Sequence, residues 1–415
     1  MKITVIPVGS AGDVHPYISV ARALQQRGHD VRVITNPYFE ALTRTVGLEY
    51  VPIGTTREFH NLLNQPDLWN HIHGLRVIGQ AVAYQTEELY KLIEREERNG
   101  CELLIAPGLA FAARIAHEVM HLPLVTMHLQ PSCLMSIHDF AVPHVWLSSI
   151  NHWPIPIKRL VRRFGDYVAD RALSPGPNAF RSKLGLLPIR HIVSDWWHSP
   201  QRVIGLFPQW YAAVQPDWPK QTVQTGFPLY DEGDVTPIEP DLAKYLKRTD
   251  QDRPIVFMAG SGNRQASHFF LAAIDACAGL GRQGILLTRF PEQLPTDLPK
   301  GIRHFHYAPL SSVLPYAAAL VHHGGIGTTA QALFAGCPQL VMPMTFDQPD
   351  NAARIQRLGV GRSLTPSSFT GTRVARELEY LIESNSVARH SQAIQRLFDD
   401  TNPIARTCEL IEATV

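Results

Sequence analysis

A glycine-rich segment in the second half of the chain has the residue types of a phosphate-binding turn. It runs from Leu320 to Gly336, LVHHGGIGTTAQALFAG, and connects an apolar strand to a helix predicted to open at Thr328 and Thr329. Glycines let the backbone approach an anion, and the N–H groups at a helix start donate hydrogen bonds to it. His323 and the two hydroxyls supply further donors. The glycines alone are equally compatible with a tight strand-to-helix turn that binds nothing.

Strand and helix patterns alternate on both sides of this turn. In the first half, β-branched and apolar runs alternate with helical periodicity, which predicts helices at 14–27 and 109–120 and strands at 2–8, 30–35, 103–106 and 124–127. A second series of strands is predicted at 254–259, 284–288, 319–322 and 339–342. This alternation is typical of parallel sheets covered by helices, so we predict an α/β protein with doubly wound domains. Ligands of such domains bind at the carboxyl ends of the strands.

A proline-rich connection from Gly226 to Pro240 marks a boundary between two such domains. The 415 residues of the chain are enough for both. We predict an N-terminal domain at 1–228, a linker at 229–250 and a C-terminal domain at 251–395. Residues 396–415 are predicted to form a C-terminal helix that packs back on the N-terminal domain.

The composition excludes several classes of protein. Lys and Arg number 38 against 37 Asp and Glu, and a net charge of +1 provides no field that attracts nucleic acid. No apolar run approaches the ~20 residues needed to span a bilayer, and the N-terminus has no signal-peptide pattern. Five scattered cysteines without a CxxC pair argue against a disulfide framework or a thiolate zinc site. We therefore predict a soluble, cytoplasmic protein without a nucleic-acid partner.

A second short pattern, His117-Glu-Val-Met-His121, has the HExxH spacing of zinc peptidases. Its two histidines could bind one ion only if they shared a helical face one turn apart. Pro123 ends the predicted helix directly after His121, and no third ligand stands at a recognisable spacing. A zinc hydrolase remains an alternative interpretation, but we predict no metal site.

The motifs around the glycine-rich turn resemble, in their order, the nucleotide-sugar signature of family 1 glycosyltransferases. Tyr307-Ala-Pro lies upstream of the turn, and Phe346-Asp-Gln-Pro-Asp-Asn351 lies downstream. The resemblance implies the GT-B fold, in which two Rossmann-like domains face a central cleft. It also implies a UDP- or dTDP-sugar as co-substrate, with no metal and no other cofactor.

The same resemblance implies a role for each matching residue of the second domain. The Tyr307 ring corresponds to the residue that stacks on uracil or thymine. Asp347 and Gln348 correspond to residues that hold hydroxyls of the donor sugar. The positions that correspond to the family's diphosphate-binding residues, including a second glycine turn after the strand at 254–259, are Gly260, Ser261, His323, Gly325, Thr328 and Thr329.

In the first domain, the segment from Gly9 to Pro16, GSAGDVHP, resembles the acceptor loop of bacterial antibiotic, rhamnolipid and sterol glycosyltransferases. The resemblance places Asp13 at the family's general base, which removes the proton of the acceptor hydroxyl. Gly12 and His15 lie on the acceptor side of this loop, and His15 is the competing base. The other interpretation of Asp13 is that its carboxylate only caps the first helix.

Residues 128–200 are irregular and dense in Pro, Trp and His, as insertions that shape a ligand pocket often are. A looser likeness to rhamnosyltransferases of rhamnolipid synthesis, at segments such as Trp196 to Gln201, implies an apolar or lipid-like acceptor. Within this region, Ile157 to Phe164 is basic and amphipathic. We predict a solvated helix beside the pocket, because only four charges are involved; the alternative is peripheral contact with the inner membrane.

Together with these residues, the resemblance to family 1 glycosyltransferases implies an inverting, metal-independent glycosyltransferase, and the inversion rests on the resemblance alone. The enzyme would move a hexose or deoxyhexose from a UDP- or dTDP-sugar to a hydroxyl of an apolar small molecule or lipid. Two further alternatives stay open besides the zinc hydrolase. One is a nucleotide-sugar epimerase or hydrolase of the same fold, and the other is a non-catalytic partner subunit that binds a nucleotide sugar.

Overall fold

The computed structural model describes residues 1–70, 73–246, 253–399 and 402–415, and the chain divides into two compact units. The first unit comprises Met1–Ala141, Ser149–Pro228 and Asn402–Val415. The second comprises Val142–Ser148 and Leu229–Thr401. The predicted boundary between the linker and the C-terminal domain, at residues 250 and 251, lies outside the described residues.

The first unit contains a seven-stranded, wholly parallel sheet with the strand order β3-β2-β1-β4-β5-β6-β7. Its central strands carry almost only buried aliphatic residues, as expected where helices cover both faces. The strand order reverses between β1 and β4. The carboxyl ends of these two strands therefore form the switch point where ligands of doubly wound sheets bind. The strands are β1 Lys2–Val5, β2 Asp30–Thr35, β3 Glu49–Pro52, β4 Leu103–Ala106, β5 Leu124–His128, β6 Arg202–Gly205 and β7 Thr222–Gln224.

Several helices of this unit pack on the sheet with buried aliphatic and aromatic side chains. β1 ends at Val5 rather than at Val8 as predicted, shortly before Pro7, which has no N–H to continue the ladder. The helices are α1 Ala11–Gln26, α2 Glu40–Thr45, α3 Thr56–Leu63, α4 Gly74–Arg98, α5 Phe111–Met120, α6 Ile155–Leu173 and α7 Pro175–Lys183.

The second unit contains a six-stranded parallel sheet with the order β10-β9-β8-β11-β12-β13. Its switch point lies between β8 and β11. The strands are β8 Ile255–Met258, β9 Gly284–Leu287, β10 Ile302–Phe305, β11 Ala319–His322, β12 Gln339–Val341 and β13 Gly361–Ser363. The helices are α8 Pro240–Leu246, α9 Ser267–Leu280, α10 Leu310–Val313, α11 Ile326–Phe334, α12 Gln348–Arg357, α13 Gly371–Glu383 and α14 Asn385–Arg396. The prediction of two doubly wound α/β domains is confirmed.

The last helix, α15 Pro403–Glu412, belongs to the first unit. Residue 396, where the C-terminal helix was predicted to begin, instead ends α14. α15 packs along α1, and the Arg27 guanidinium forms an ion pair of 2.6 Å with the Glu412 carboxylate. The Thr407 hydroxyl donates a hydrogen bond of 2.9 Å to the Thr225 hydroxyl.

The HExxH pattern does not form a metal site. α5 ends at Met120, and His121 follows in the left-handed conformation with φ 59°, so the two histidines do not share a helical face. His117 Nδ1 lies 2.7 Å from the Leu122 carbonyl oxygen, and the Glu118 carboxylate pairs with Arg181. Within the described ranges, no group of three or more His, Cys, Asp or Glu side chains could hold a metal ion. No helix in those ranges has the length and apolarity needed to cross a bilayer.

Candidate active site

Three turns of the second unit meet at the carboxyl edge of its sheet, because they leave neighbouring strands. β8 leads into the turn at 260–263, β11 into the turn at 323–325, and β12 into the turn at 344–347. The register pairs Met258 with His322 and His322 with Val341, so the three strands end side by side. This is the switch point of the sheet, where parallel α/β domains bind ligands.

The His323 ring lies against the glycines of two of these turns. A Cβ at Gly260 would stand 3.0 Å from Cε1 of the ring, and a Cβ at Gly325 would stand 2.6 Å from Nε2. Gly260 also has φ +102°, a conformation that side-chain-bearing residues rarely adopt. The turns at 260–263 and 323–325, more than sixty residues apart in the chain, therefore form one surface. It combines the backbone of both turns with the His323 imidazole and the exposed Ser261.

The His323 imidazole is neutral and has an unsatisfied nitrogen. Burial lowers the pKa of His323 to about 4, so at neutral pH one ring nitrogen carries a proton and the other does not. Nδ1 is buried and has no hydrogen-bond partner among the described residues. Because buried polar atoms are nearly always paired in native proteins, this nitrogen is a candidate partner for a polar ligand atom.

The neighbouring His322 holds the glycine-rich turn through a hydrogen bond from its backbone. The Gly324 N–H donates a hydrogen bond of 3.1 Å to His322 Nδ1, which must therefore be unprotonated. The proton then lies on Nε2, 3.0 Å from the side-chain oxygen of Gln339. Burial, with a smaller contribution from the proximity of His323, lowers the pKa of His322 to about 3. The turn is thus held by a fully buried, neutral imidazole of defined tautomer.

Helix α11 starts two residues earlier than the sequence predicts. Gly325 is the N-cap in extended conformation, and its carbonyl oxygen accepts a hydrogen bond of 3.0 Å from the Thr329 N–H. Thr328 and Thr329 consequently lie within the first turns rather than at the cap. Thr329 is completely buried and its hydroxyl has no partner among the described residues, whereas Thr328 is half-buried. Of the two predicted phosphate-binding hydroxyls, only that of Thr328 lies near the surface of this unit.

The predicted sugar-binding pair starts α12, and Asn351 connects it to the glycine-rich turn. The Asn351 amide donates hydrogen bonds of 2.9 Å to the Gly324 carbonyl oxygen and 2.7 Å to Asp347 Oδ2. Gln348 is buried, and its side-chain oxygen accepts a hydrogen bond of 2.9 Å from the Met344 N–H. The oxygen of Gln348 therefore orders the turn, and its amide nitrogen is the part that could donate to a sugar hydroxyl.

Tyr307 follows β10, and both its hydroxyl and its ring contact other residues of the second unit. Its hydroxyl donates a hydrogen bond of 2.7 Å to the Asp231 carbonyl oxygen, and the ring is half-buried. The Arg289 guanidinium carbon lies 4.8 Å from the ring centroid, over one face. Burial raises the pKa of the Tyr307 phenol, so the hydroxyl stays protonated. A nucleobase that stacks on this ring would therefore use the face opposite Arg289 or displace the guanidinium.

In the first unit, Asp13 lies in the first turn of α1, not between strand and helix. The helix begins at Ala11 rather than at Val14, because Ser10 and Asp13 form its cap. Asp13 Oδ2 accepts hydrogen bonds of 2.8 Å from the Ser10 N–H and 3.0 Å from the Ser10 hydroxyl. Gly9 has φ +131°, and a Cβ there would collide with the Asp13 carboxylate.

The two carboxylate oxygens of Asp13 differ in their surroundings. Oδ2 is used by the cap, whereas Oδ1 takes part in none of the hydrogen bonds or ion pairs among the described residues. Burial raises the pKa of Asp13, and this effect exceeds the lowering by the hydrogen bonds from Ser10. The capping and general-base interpretations are thus compatible, because each needs only one oxygen.

The other two predicted acceptor-side residues lie on the same turn of α1. Gly12 is exposed, and the nearest atom to a Cβ at this position would be the Ser10 hydroxyl oxygen at 3.9 Å. His15 is half-buried and lies two positions after Asp13, a spacing that directs side chains to different faces of a helix. The structure thus leaves space for a side chain at Gly12, although the chain has glycine there.

A buried pair of histidines at the end of β5 was not predicted from the sequence. The Trp197 indole N–H lies 3.2 Å from His198 Nε2, and His198 Nδ1 lies 3.0 Å from His128 Nε2. Because an indole only donates, His198 carries its proton on Nδ1 and His128 carries its proton on Nδ1. Burial lowers the pKa of His198 to about 4 and that of His128 well below its usual value. Both rings are therefore neutral at the sheet edge from which α1 also begins.

Comparison with known families identifies the chain. Residues 3–138 match the model of the glycosyltransferase family 28 N-terminal domain, and residues 285–408 match that of the erythromycin biosynthesis protein CIII-like C-terminal domain. Together the two models match more than half of the chain. The chain belongs to the family 1 glycosyltransferases of the GT-B fold. The predicted family and the prediction of a glycosyltransferase enzyme are confirmed.

Individual relatives match this glycosyltransferase over nearly its whole length. The O-mycaminosyltylonolide 6-deoxyallosyltransferase of Streptomyces fradiae is 27% identical over 447 residues, covering 99% of this chain and 97% of the relative. Among solved structures, the glycosyltransferase of kitacinnamycin has a TM-score of 0.75 at 21% identity, covering 100% and 98% of the two chains. The spinosyn rhamnosyltransferase complexed with thymidine diphosphate has a TM-score of 0.67 at 18% identity, covering 99% and 100%.

Four residues that shape the candidate site carried no predicted role: His322, Asn351, Arg289 and His128. Asn351 is the last residue of the Phe346 to Asn351 motif, so its position was visible in the sequence, but its role as a connector was not. His322 and His128 are the last residues of buried strands, where a histidine is unusual and could have been a signal. Arg289 follows a strand in the same way, and nothing in its local sequence distinguishes it.

Proposed function

We propose that this glycosyltransferase moves a hexose or deoxyhexose from a UDP- or dTDP-sugar to a hydroxyl of an apolar acceptor. The observation that carries the proposal is the buried Nδ1 of His323, which has no partner among the described residues and belongs to a ring that lies against the glycines of two turns at the switch point. A diphosphate offers oxygens that such nitrogens and turn N–H groups bind. The spinosyn rhamnosyltransferase of the same fold, solved with thymidine diphosphate, supports this donor class.

On the donor side, the reaction breaks the bond between the anomeric carbon and the β-phosphate oxygen. Negative charge then accumulates on the departing diphosphate. The N–H groups that begin α11 and a ring N–H of His323 would donate to it, and the positive end of the helix dipole would stabilise it by roughly 0.3–1 kcal/mol. With these donors already in place, we propose that the transfer needs no metal ion.

On the acceptor side, we propose that Asp13 acts as general base through Oδ1. This oxygen would take the proton of the acceptor hydroxyl while Oδ2 stays bound to Ser10 and fixes the carboxylate. The raised pKa of Asp13 makes the carboxylate a stronger base than an exposed aspartate. The hydroxyl oxygen would attack the anomeric carbon opposite the diphosphate, so the configuration at that carbon inverts.

The donor proposal is tested by the thermal shift that nucleotides produce, because a ligand that binds only the folded state raises its stability. UDP, dTDP, GDP, ADP and their sugar conjugates are compared on the wild type, on His323→Ala and on the control His268→Ala, which changes an exposed histidine of the same unit. We expect stabilisation by UDP or dTDP species that is lost in His323→Ala and kept in the control. The absence of a response to any nucleotide would contradict the proposal.

The base proposal is tested by release of nucleoside diphosphate in the presence of aromatic and lipid alcohols. Asp13→Asn keeps an oxygen that can accept from Ser10 but removes the base, so we expect an intact fold and a rate lowered by about 10²–10⁴. His15→Asn is the comparison, and a loss confined to this variant would make His15 the base. Free sugar formed equally well without an alcohol would favour a hydrolase, and full activity of Asp13→Asn would exclude Asp13 as the base.

A further inference from the structure

Helix α6 has an apolar stripe on its outer surface. Its inner face is formed by Lys158, Asp166, Ala169 and Leu173, which are buried. At about 100° per residue, the opposite side of the helix carries a second set of large apolar residues. These are exposed by 46% at Ile157, 68% at Leu160, 67% at Phe164, 55% at Tyr167 and 43% at Val168.

The exposed charges of α6 are all positive. Arg159 and Arg163 are exposed and flank the apolar stripe along one side. Arg171 is exposed beyond the C-terminal end of the stripe, and its Nη1 lies 3.2 Å from the Tyr167 hydroxyl. Of the two carboxylates on the helix, Asp166 is buried. The other, Asp170, is half-buried, and both of its oxygens accept backbone N–H bonds from residues 191 and 192. The face therefore combines apolar bulk with cationic charge and exposes no ionised carboxylate that would repel an anion.

We propose that this face of α6 docks on the surface of an anionic phospholipid bilayer. The face consists of the apolar side chains of Ile157, Leu160, Phe164, Tyr167 and Val168 and of the guanidinium groups of Arg159 and Arg163. Leu and Phe would enter the boundary between headgroups and acyl chains, and the arginines would meet the phosphates. The tyrosine phenol suits the same boundary, because its ring is apolar and its hydroxyl is polar. This partner goes beyond the proposed function and does not depend on it.

The charge pattern favours a membrane over a second copy of this chain. In a twofold dimer through this face, the same patch would meet itself, so the interface would bring together arginines from both copies without an exposed carboxylate of α6 to pair with them. An anionic bilayer instead supplies opposite charge along the whole helix. The net charge of +1 does not by itself draw the protein to a membrane, so the attraction must be local to this face.

The test is co-sedimentation of the full chain with vesicles of phosphatidylcholine alone and of phosphatidylcholine with phosphatidylglycerol. We expect binding to the mixed vesicles that falls with added salt. The variant Arg159→Gln/Arg163→Gln should bind them about 25-fold more weakly, at about fivefold per arginine near the surface. Leu160→Gln/Phe164→Gln should bind the mixed vesicles at least about tenfold more weakly. The control Leu271→Gln removes an equally apolar, 49% exposed side chain from the second unit and should change nothing.

Several outcomes would overturn the proposal. One is failure of the wild type to bind mixed vesicles, and another is equal binding by Leu160→Gln/Phe164→Gln. A dimer in light scattering that this double variant converts to monomer would show that a second copy covers the face. Nucleotide-induced thermal shifts measured on the same variants keep the two proposals separate, because we expect them to be unchanged when membrane binding is lost.

Discussion

Acidification should weaken the second unit through His322, whose neutral ring holds the glycine-rich turn. The ring is fully buried, and burial lowers the pKa of His322 to about 3 from 6.5. The unfolded chain therefore takes up a proton on this imidazole as the pH falls through the unfolded value, while the folded protein does not. The stability that the neutral ring contributes is thus complete above 6.5 and is lost progressively as the pH falls towards 3.

The size of the effect follows from these two pKa values. Between about pH 7.5 and about pH 5, the preference of the unfolded state for the proton costs ~2 kcal/mol of unfolding free energy at this one residue. The groups that face the ring are the Gly324 N–H, the Gln339 amide and the neutral His323. The carboxamide of Gln339 does not titrate, so none of these groups offsets the loss with a negative charge.

His322→Asn isolates this contribution. The asparagine oxygen can accept from the Gly324 N–H in place of Nδ1 but cannot take up a proton in this range. The variant should be less stable near neutrality by ~1–3 kcal/mol, because the contact with Gln339 is lost. Its loss of stability on acidification should then be smaller than that of the wild type by ~2 kcal/mol.

The assay is urea unfolding followed by far-ultraviolet circular dichroism at the two pH values. His268→Asn, at an exposed position of the same unit, serves as the control and should follow the wild type. If His322→Asn loses as much stability on acidification as the wild type does, then the ring is not the buried neutral group that the hydrogen bonds indicate.

Three further substitutions test the geometry of the site. Gly260→Ala adds a Cβ in contact with the His323 ring at a positive φ, so it should cost ~1–2 kcal/mol of stability and reduce the nucleotide-induced thermal shift. The control is Gly281→Ala, at φ +63° with open space around it, which should reduce stability but leave the thermal shift unchanged. Gly12→Ala should leave stability unchanged or raise it by ~0.5–1 kcal/mol in urea unfolding, and a fall in transferase rate would then show that the glycine serves a ligand. Asn351→Ala should lower the free energy of unfolding by ~1–3 kcal/mol, because the buried Gly324 carbonyl oxygen and the half-buried Asp347 carboxylate each lose a hydrogen bond from the amide, and an unchanged urea midpoint would contradict the connector role.

Much of the fold was predictable because the pattern is local. Buried parallel strands require continuous apolar runs, and the β-branched segments at 30–35 and 319–322 match β2 and β11 to the residue. Helix starts were less predictable. α1 begins three residues and α11 two residues before the predicted positions, because their caps at Ser10 and Gly325 depend on backbone angles that residue types leave open.

The sequence by itself determined the alternation of strands and helices, the order of the motifs and the chemical types in the donor site. Only the tertiary structure decided which of these residues meet. The Gly260 turn contacts His323 because β8 pairs with β11, a strand that is not its neighbour in the chain. Burial likewise decided that the two strand-end histidines are neutral, and packing decided which side of α6 faces outward. These properties depend on the sum of many distant contacts, which no local pattern contains.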